Sequence, residues 1–347
     1  MNRYSGIMIA LGAALLFGAS TPLAKLALAS ADPVLVAGLL YLGSGVGLAA
    51  VRSLRSGKAR ETPLSRADLP WLGGAILVGG IAGPTLLLLG LITTSASTAS
   101  LLLNLEAVAT AGIAWIVFRE NVDRRVGLGF ALILAGGVLL SLPQESKTSY
   151  SGGTLLITAA CLCWGIDNNL TRKISGSDPL QITMWKGLIA GAVNTSLALA
   201  AGSKLPTVPV TLAVAAVGFL GYGVSLVLFV RALRHLGTAR TGAYFSTAPF
   251  AGTALAFALG QGHLDWAFWL AGTLMLAGVW LHITERHEHE HVHQPVEHEH
   301  LHYHDEHHQH SHSPEDPPGE PHAHRHRHEW LAHAHPHYPD LHHRHEH

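Results

Sequence analysis

Glu106 is the only acidic residue inside the apolar segments of the chain's first half, where it stands in SASTASLLLNLEAVATAG. A bare carboxylate at bilayer depth costs about 3 kcal/mol or more, so it must be paired, protonated or hydrated. Two chemistries follow. The carboxylate takes up and releases a proton in step with a transport cycle, or it is the structural partner of Lys25 or Lys186. Asn104, two residues away on another part of the helix surface, suits an interhelical hydrogen bond. Thr21-Pro22 lies four residues before Lys25, and proline there predicts a break in the helix and a freed carbonyl. Asp167, Asn168 and Asn169 hold the matching place in the second half. Asp167 is close enough to a helix end to be solvated or to pair with Arg172. Lys186 either binds an anionic group, neutralises Glu106, or snorkels to the interface beside Trp185. Tyr222, Tyr244 and Asn194 are further cavity candidates that could equally bond between helices. Cys161 and Cys163, at i and i+2, diverge on a helix and read as small packing residues rather than a soft-metal pair.

A second chemistry is concentrated at the C-terminus. Of 26 histidines, 23 lie from His287 onward, alternating with Glu, Asp, Ala, Tyr and Pro. Neutral imidazoles among carboxylates suit Zn, Ni, Co or Cu ions. The candidate ligands are His287, His289, His291, His293, His298, His300, His302, His304, His307, His308, His310, His322, His324, His326 and His328. Without apolar periodicity and with several prolines, this tail is expected to be disordered. It could equally be a solvated polyampholyte whose charge follows pH, because imidazole titrates near 6.5.

The elements that must position these residues are membrane helices. Hydrophobic residues make up 48% of the chain and charged residues only 13%. Apolar segments of about 20 residues, the length that crosses a bilayer core, recur at roughly 7–29, 33–51, 70–92, 97–117, 125–142, 152–171, 179–201, 209–230, 241–260 and 264–284. Fourteen Lys and Arg residues fall in loops on one side and two on the other, so the positive-inside rule puts both termini in the cytoplasm. The first run loosely resembles a cleavable signal peptide. Lys25 interrupts its end, however, and cleavage would leave an odd number of spans. Formal charge is +7 up to Glu285 and −8 beyond it. No phosphate-binding glycine loop is present, which removes the simplest route to ATP-driven work.

The halves resemble one another: ALLFGASTPLAK at 14–25 lies over CLCWGIDNNLTR at 161–172, and LAGGVL at 134–139 over LAGVWL at 276–281. Five spans per half require the second to be inverted relative to the first, an arrangement that places a substrate site at the midplane. With these segments, and with GLGFALILAGGVLLS and ALRHLGTARTGAYFSTAPF, the chain resembles the EamA branch of the drug/metabolite transporter superfamily over about residues 5–284. One departure is Ala107, where the family usually has proline after the helix-4 Glu; Pro249 keeps its second-half counterpart. Helix 4 is therefore expected to be straighter than usual.

The reading is an all-α integral membrane protein of ten transmembrane helices in two inverted five-helix repeats (1–145 and 150–285), with a disordered tail (286–347). The resemblance implies a secondary active transporter, not an enzyme, that exports a small polar metabolite or toxic compound. The absence of a nucleotide site favours coupling to protons through Glu106. Alternatives are a divalent-metal (Ni, Co or Zn) exporter with a metal-capturing cytoplasmic tail, and a membrane-anchored metal buffer or sensor. A cofactor is not required. The expected partners are a small-molecule or ion substrate and the lipid bilayer, with a homodimer as an allowed assembly and no nucleic acid. The expected location is the plasma or inner membrane.

Overall fold

The computed structural model describes residues 3–54, 62–118, 124–142, 152–236, 238–262 and 265–284, and four short stretches of the tail. Every one of the ten apolar segments contains helix. In the first half these are α1 (Arg3–Ala27), α2 (Pro33–Leu54), α3 (Leu69–Ala75) continued through a π-helical stretch into α4 (Gly83–Thr93), α5 (Ala96–Leu102) with α6 (Asn104–Phe118), and α7 (Arg124–Ser141). In the second half they are α8 (Gly152–Lys173), α9 (Pro179–Ala200), α10 (Val208–Gly218) continued through a π-helical stretch into α11 (Ser225–Leu236), α12 (Thr238–Phe245) with α13 (Ala248–Ala258), and α14 (Trp266–Ile283). Among the described residues five stretches are long and apolar enough to cross a membrane: Gly6–Ala27, Pro33–Leu54, Arg66–Thr93, Ala96–Val117 and Val208–Ala232. Large apolar side chains such as Leu15, Leu77, Trp115, Val138, Leu155, Leu212, Trp269 and Leu276 are exposed on the helical body. In water such a surface would be a liability; against lipid it is the expected exterior.

The helix irregularities lie in places the sequence did not indicate. Helix α1 runs through Pro22 without a break, and α8 runs through Asp167, Asn168 and Asn169. A proline at membrane depth is tolerated where neighbours cover the carbonyl it frees. Here that carbonyl belongs to Gly18, and Gly252 of α13 lies so close that an added Cβ would sit 2.6 Å from its oxygen.

The real departures come in two matched pairs. The third segment is π-helical over Ile76–Ala82 and the eighth over Phe219–Val224. In the first, Pro84 supplies no N–H to Gly80, whose carbonyl lies 3.5 Å from the Asn194 amide nitrogen instead. The fourth segment is parted at Leu103, between α5 and α6, and the ninth between Phe245 and Ala248. The straighter fourth helix expected from Ala107 is therefore not found. Asn104 opens the turn by donating from Nδ2 to Leu101 O at 2.9 Å, and the Cys161 thiol lies 3.5 Å from Leu102 O. In the ninth segment the corresponding work is done by Ser246 and Thr247, whose hydroxyls donate to Gly242 O at 2.8 Å and Tyr244 O at 2.7 Å.

The halves interlock. Helix α1 packs on α11 and α13, whereas α8 packs on α4 and α6. A Cβ on Gly18 would fall 2.1 Å from Ala248 O, and one on Gly165 would fall 2.7 Å from the Ala109 Cβ. These two glycines hold matching places in the two halves, and each lets its helix touch the broken helix of the other half.

Four short stretches of the tail are described. Strands β1 (Glu288–His293) and β4 (Leu331–Pro336) pair antiparallel, as do β2 (Glu297–His302) and β3 (His322–Arg327). Histidine recurs at every second residue within these stretches, the period of a strand.

Candidate functional site

Glu106 lies in the first turn of α6, immediately after the break, where the exposed N–H groups of a helix start favour negative charge. Its Oε1 accepts a hydrogen bond from Asn168 Nδ2 of α8 at 3.0 Å. The same amide nitrogen lies 3.1 Å from the Thr110 hydroxyl, which donates to Glu106 O at 2.8 Å. Asn169 braces this contact by donating to Thr110 O at 3.0 Å and Gly165 O at 2.8 Å. Glu106 is half-buried and has no cationic partner among the described residues.

Neither candidate lysine reaches it. Lys186 is buried at 5% exposure and pairs with Asp167, its Nζ 2.7 and 2.6 Å from the two carboxylate oxygens. Asp167 also accepts from the Thr171 hydroxyl at 3.0 Å. Asp167 is thus neither solvated nor held by Arg172, and Lys186 does not snorkel. Lys25 donates to Leu91 O and, at 2.9 Å, to Thr94 O, placing its charge at the C-terminal end of α4.

Around Phe17 of α1 stands an aromatic group that sequence reasoning did not assemble. Phe17 meets Trp164 at 6.5 Å, Tyr222 at 5.9 Å and Phe245 at 5.3 Å between ring centroids, and Tyr41 meets Tyr222 at 5.4 Å. Phe17 and Trp164 are the aromatic residues of the matched aromatic-Gly positions. That shared pattern was the available signal. Tyr41 OH and Trp164 Nε1 both donate to Gly79 O, at 2.9 and 3.0 Å, satisfying a carbonyl in the π-helical stretch. Of the other candidates, Thr21 is buried, Asn104 also lies 3.8 Å from the Met275 sulfur, and Tyr244 packs apart, against Ala10 and Ala232.

No group of three or more His, Cys, Asp or Glu residues forms a metal site among the residues whose side chains are described. Of the tail candidates, His287, His304, His307, His308, His310 and His328 lie outside the described residues; the others lie in β1, β2 and β3.

Two consecutive stretches, residues 4–142 and 151–284, match the model of the EamA-like transporter family. The chain belongs to the EamA-like transporter family. The double match accounts for the paired π-helical stretches and paired breaks. An uncharacterized transporter of Methanothermobacter thermautotrophicus (strain Delta H) is 28% identical over 299 residues, covering 81% of this chain and 87% of that protein. The uncharacterized transporter YyaM of Bacillus subtilis (strain 168) is 28% identical over 198 residues, covering 53% of this chain and 63% of its own length. A protein of known crystal structure shares the fold with a TM-score of 0.60 and 20% identity, over 81% of this chain and 96% of that one. This EamA-family member is accordingly a multi-pass membrane transporter, whose partners include the lipid bilayer and a small-molecule substrate.

Proposed function

We propose that the protein is a secondary active transporter that exports a small polar metabolite or toxic compound in exchange for protons bound at Glu106. The observation that carries this reading is the environment of Glu106. It is a carboxylate at a helix break, hydrogen-bonded by the opposite half through Asn168 and without a cationic partner among the described residues. A carboxylate so held is stable in either protonation state, accepting from the amide when charged and donating a proton onward when neutral. Its ligand Asn168 sits on α8, so movement of one half against the other would make or break this bond and couple protonation to access. We read the ten helical segments as ten spans in two inverted repeats in the plasma or inner membrane, with both termini in the cytoplasm. Loop charge supports that orientation.

The test is counterflow in proteoliposomes, with an internal pH dye and substrates chosen from a metabolite comparison of deletion and complemented cells. Glu106→Gln should keep the fold but lose proton-coupled flux; coupled flux at the parental rate would overturn the assignment. The second reading, export of Ni, Co or Zn ions, is favoured only by the tail's histidines. It requires that deleting 286–347 lowers the metal tolerance of cells, and unchanged tolerance would remove it.

A further inference from the structure

Helices α2 and α9 belong to different halves and run antiparallel. Arg52 near the end of α2 lies beside Asp178 at the start of α9, and Gly38 near the start of α2 lies against Thr195 near the end of α9. Between these ends the backbones touch, because a Cβ on Gly187 would fall 2.5 Å from Gly45 N. One end of the pair is clasped. Asp178 N–H donates to Thr62 O at 2.8 Å, Leu64 N–H donates to Gln181 Oε1 at 3.1 Å, and the Ser177 hydroxyl donates to Asp68 Oδ2 at 3.1 Å. Arg52 lies 3.9 Å from Asp178 Oδ2. All four contacts join the two halves. The opposite end carries matching parts that are not joined. ADP at 31–33 precedes α2 as SDP at 177–179 precedes α9. Each aspartate caps its helix, Asp32 Oδ1 accepting from Val34 N–H at 2.9 Å and Asp178 Oδ1 from Leu180 N–H at 3.0 Å. Residues 201–207 precede α10 as 62–68 precede α3, and they lie at the Asp32 end because α9 stops at Ala200. Asp32 is nevertheless exposed and bonds, among the described residues, only within its own helix. Lys204 is exposed at the same end.

We propose that Asp178 and Asp32 are the latches of two alternating gates, of which the Asp178 latch is closed in this structure and the Asp32 latch is open. In the opposite state residues 203–207, with Lys204, close on Asp32 while the clasp at Asp178 parts. The inference rests on the alternating-access reading above, in which two inverted halves rock against each other. The backbone contact of Gly45 with Gly187 is the fulcrum. Arg52 stands seven residues from it, about 10 Å along α2, and Asp178 nine residues, about 14 Å along α9. A small rotation at the fulcrum is enough to part bonds of this length at the ends. The chemistry of the clasp suits exchange rather than permanent closure. Its ion pair lies at the rim, with the Arg52 side chain 44% and that of Asp178 22% exposed, so water replaces each partner as it leaves. Both carboxylates also keep a bond inside their own half, Asp68 accepting from Ser65 N–H at 2.8 Å and Asp178 from Leu180 N–H. Opening therefore leaves neither of them bare.

The test measures closure at the Asp32 end, as the rate at which a short bis-methanethiosulfonate joins Ala31→Cys to Ser203→Cys. It uses the reconstituted full-length protein carrying Cys161→Ala and Cys163→Ala. Ser177→Ala with Gln181→Ala removes two clasp bonds and keeps both helix caps, and it should raise the rate at least threefold. Lys204→Glu sets like charge against Asp32 and should lower the rate at least threefold. Ser53→Ala, at the clasped end but bonded to Ala50 O of its own helix, should leave it unchanged. If the clasp variant loses thermal stability while the rate stays parental, the contacts are structural and the gate is overturned. A parental rate in Lys204→Glu overturns Asp32 as the second latch. Should the double variant not elute at the parental volume, Ser177→Ala and Gln181→Ala singly carry the same test in the same direction. The readout needs neither substrate nor a pH gradient, so failure of proton coupling at Glu106 would leave it standing, and its own failure would leave Glu106 untouched.

Discussion

Lys186→Met leaves the carboxylate of Asp167 inside the helical body with, among the described residues, only the Thr171 hydroxyl to accept from. At a separation of 2.6 Å and an effective dielectric of about 20, the lost attraction is about 6 kcal/mol. Removing one partner of a buried pair costs about 3–5 kcal/mol after the surroundings adjust. For a protein of this size that lowers the apparent melting temperature by on the order of 10 °C. Asp167→Asn strands the ammonium instead and should lose a similar amount. The double variant Asp167→Asn/Lys186→Met removes both charges and nearly conserves volume, which matters because Gly79 lies against Asp167. It should recover most of the loss. The assay is thermal inactivation of the detergent-purified protein, followed by fluorescence-detected size exclusion, with half-life at one temperature as a second readout. Lys173→Met is the exposed control. If Lys186→Met costs no more than Lys173→Met, or if the two single losses add in the double variant, the pair is not structural. If the double variant is stable but loses transport, the pair belongs to the substrate path instead.

Three further outcomes are expected. Gly18→Ala drives a methyl into the Ala248 carbonyl and should cost about 1–3 kcal/mol, measured by the same thermal assay, whereas Gly12→Ala, with nothing within 4 Å, should be neutral or stabilising. Tyr41→Phe and Trp164→Phe each leave Gly79 O one donor, so each should cost about 1 kcal/mol or less. Together they orphan that carbonyl and should cost more than the sum of the two. Tail affinity for Ni(II) should rise as pH climbs through about 6.5, because a protonated imidazole cannot ligate; equal affinity at pH 5.5 and 7.5 would exclude histidine as the ligand.

The existence of the helices was plain in the sequence because about 20 consecutive apolar residues serve one physical purpose. So was the internal duplication, through the matched aromatic-Gly positions. The irregularities were not. Pro22 marks an obvious break that does not occur, because Gly252 of α13, 234 residues along the chain from Gly18, covers the freed Gly18 carbonyl. The break at Leu103 lacks a proline and depends on Asn104, whose preference for its own backbone competes with helix. The lysine partners were misplaced for a related reason. Depth along each helix can be counted from the sequence, but the rotation that turns Lys186 toward Asp167 and away from Glu106 is set by packing.

The interlocking of α1 with α13 has a consequence in time. Gly18 and its contact Ala248 are separated by 230 residues, and a ribosome adding about 5–20 residues each second takes roughly 10–50 s to cover that interval. Until the ninth segment is made, the first helices sit in the membrane with the Gly18 carbonyl uncovered, and the aromatic group around Phe17 stays incomplete until Phe245 follows Trp164 and Tyr222. The nascent chain therefore needs shelter at the insertion machinery until its ninth segment arrives, and a ribosome stalled before residue 248 would leave a half that cannot close on itself.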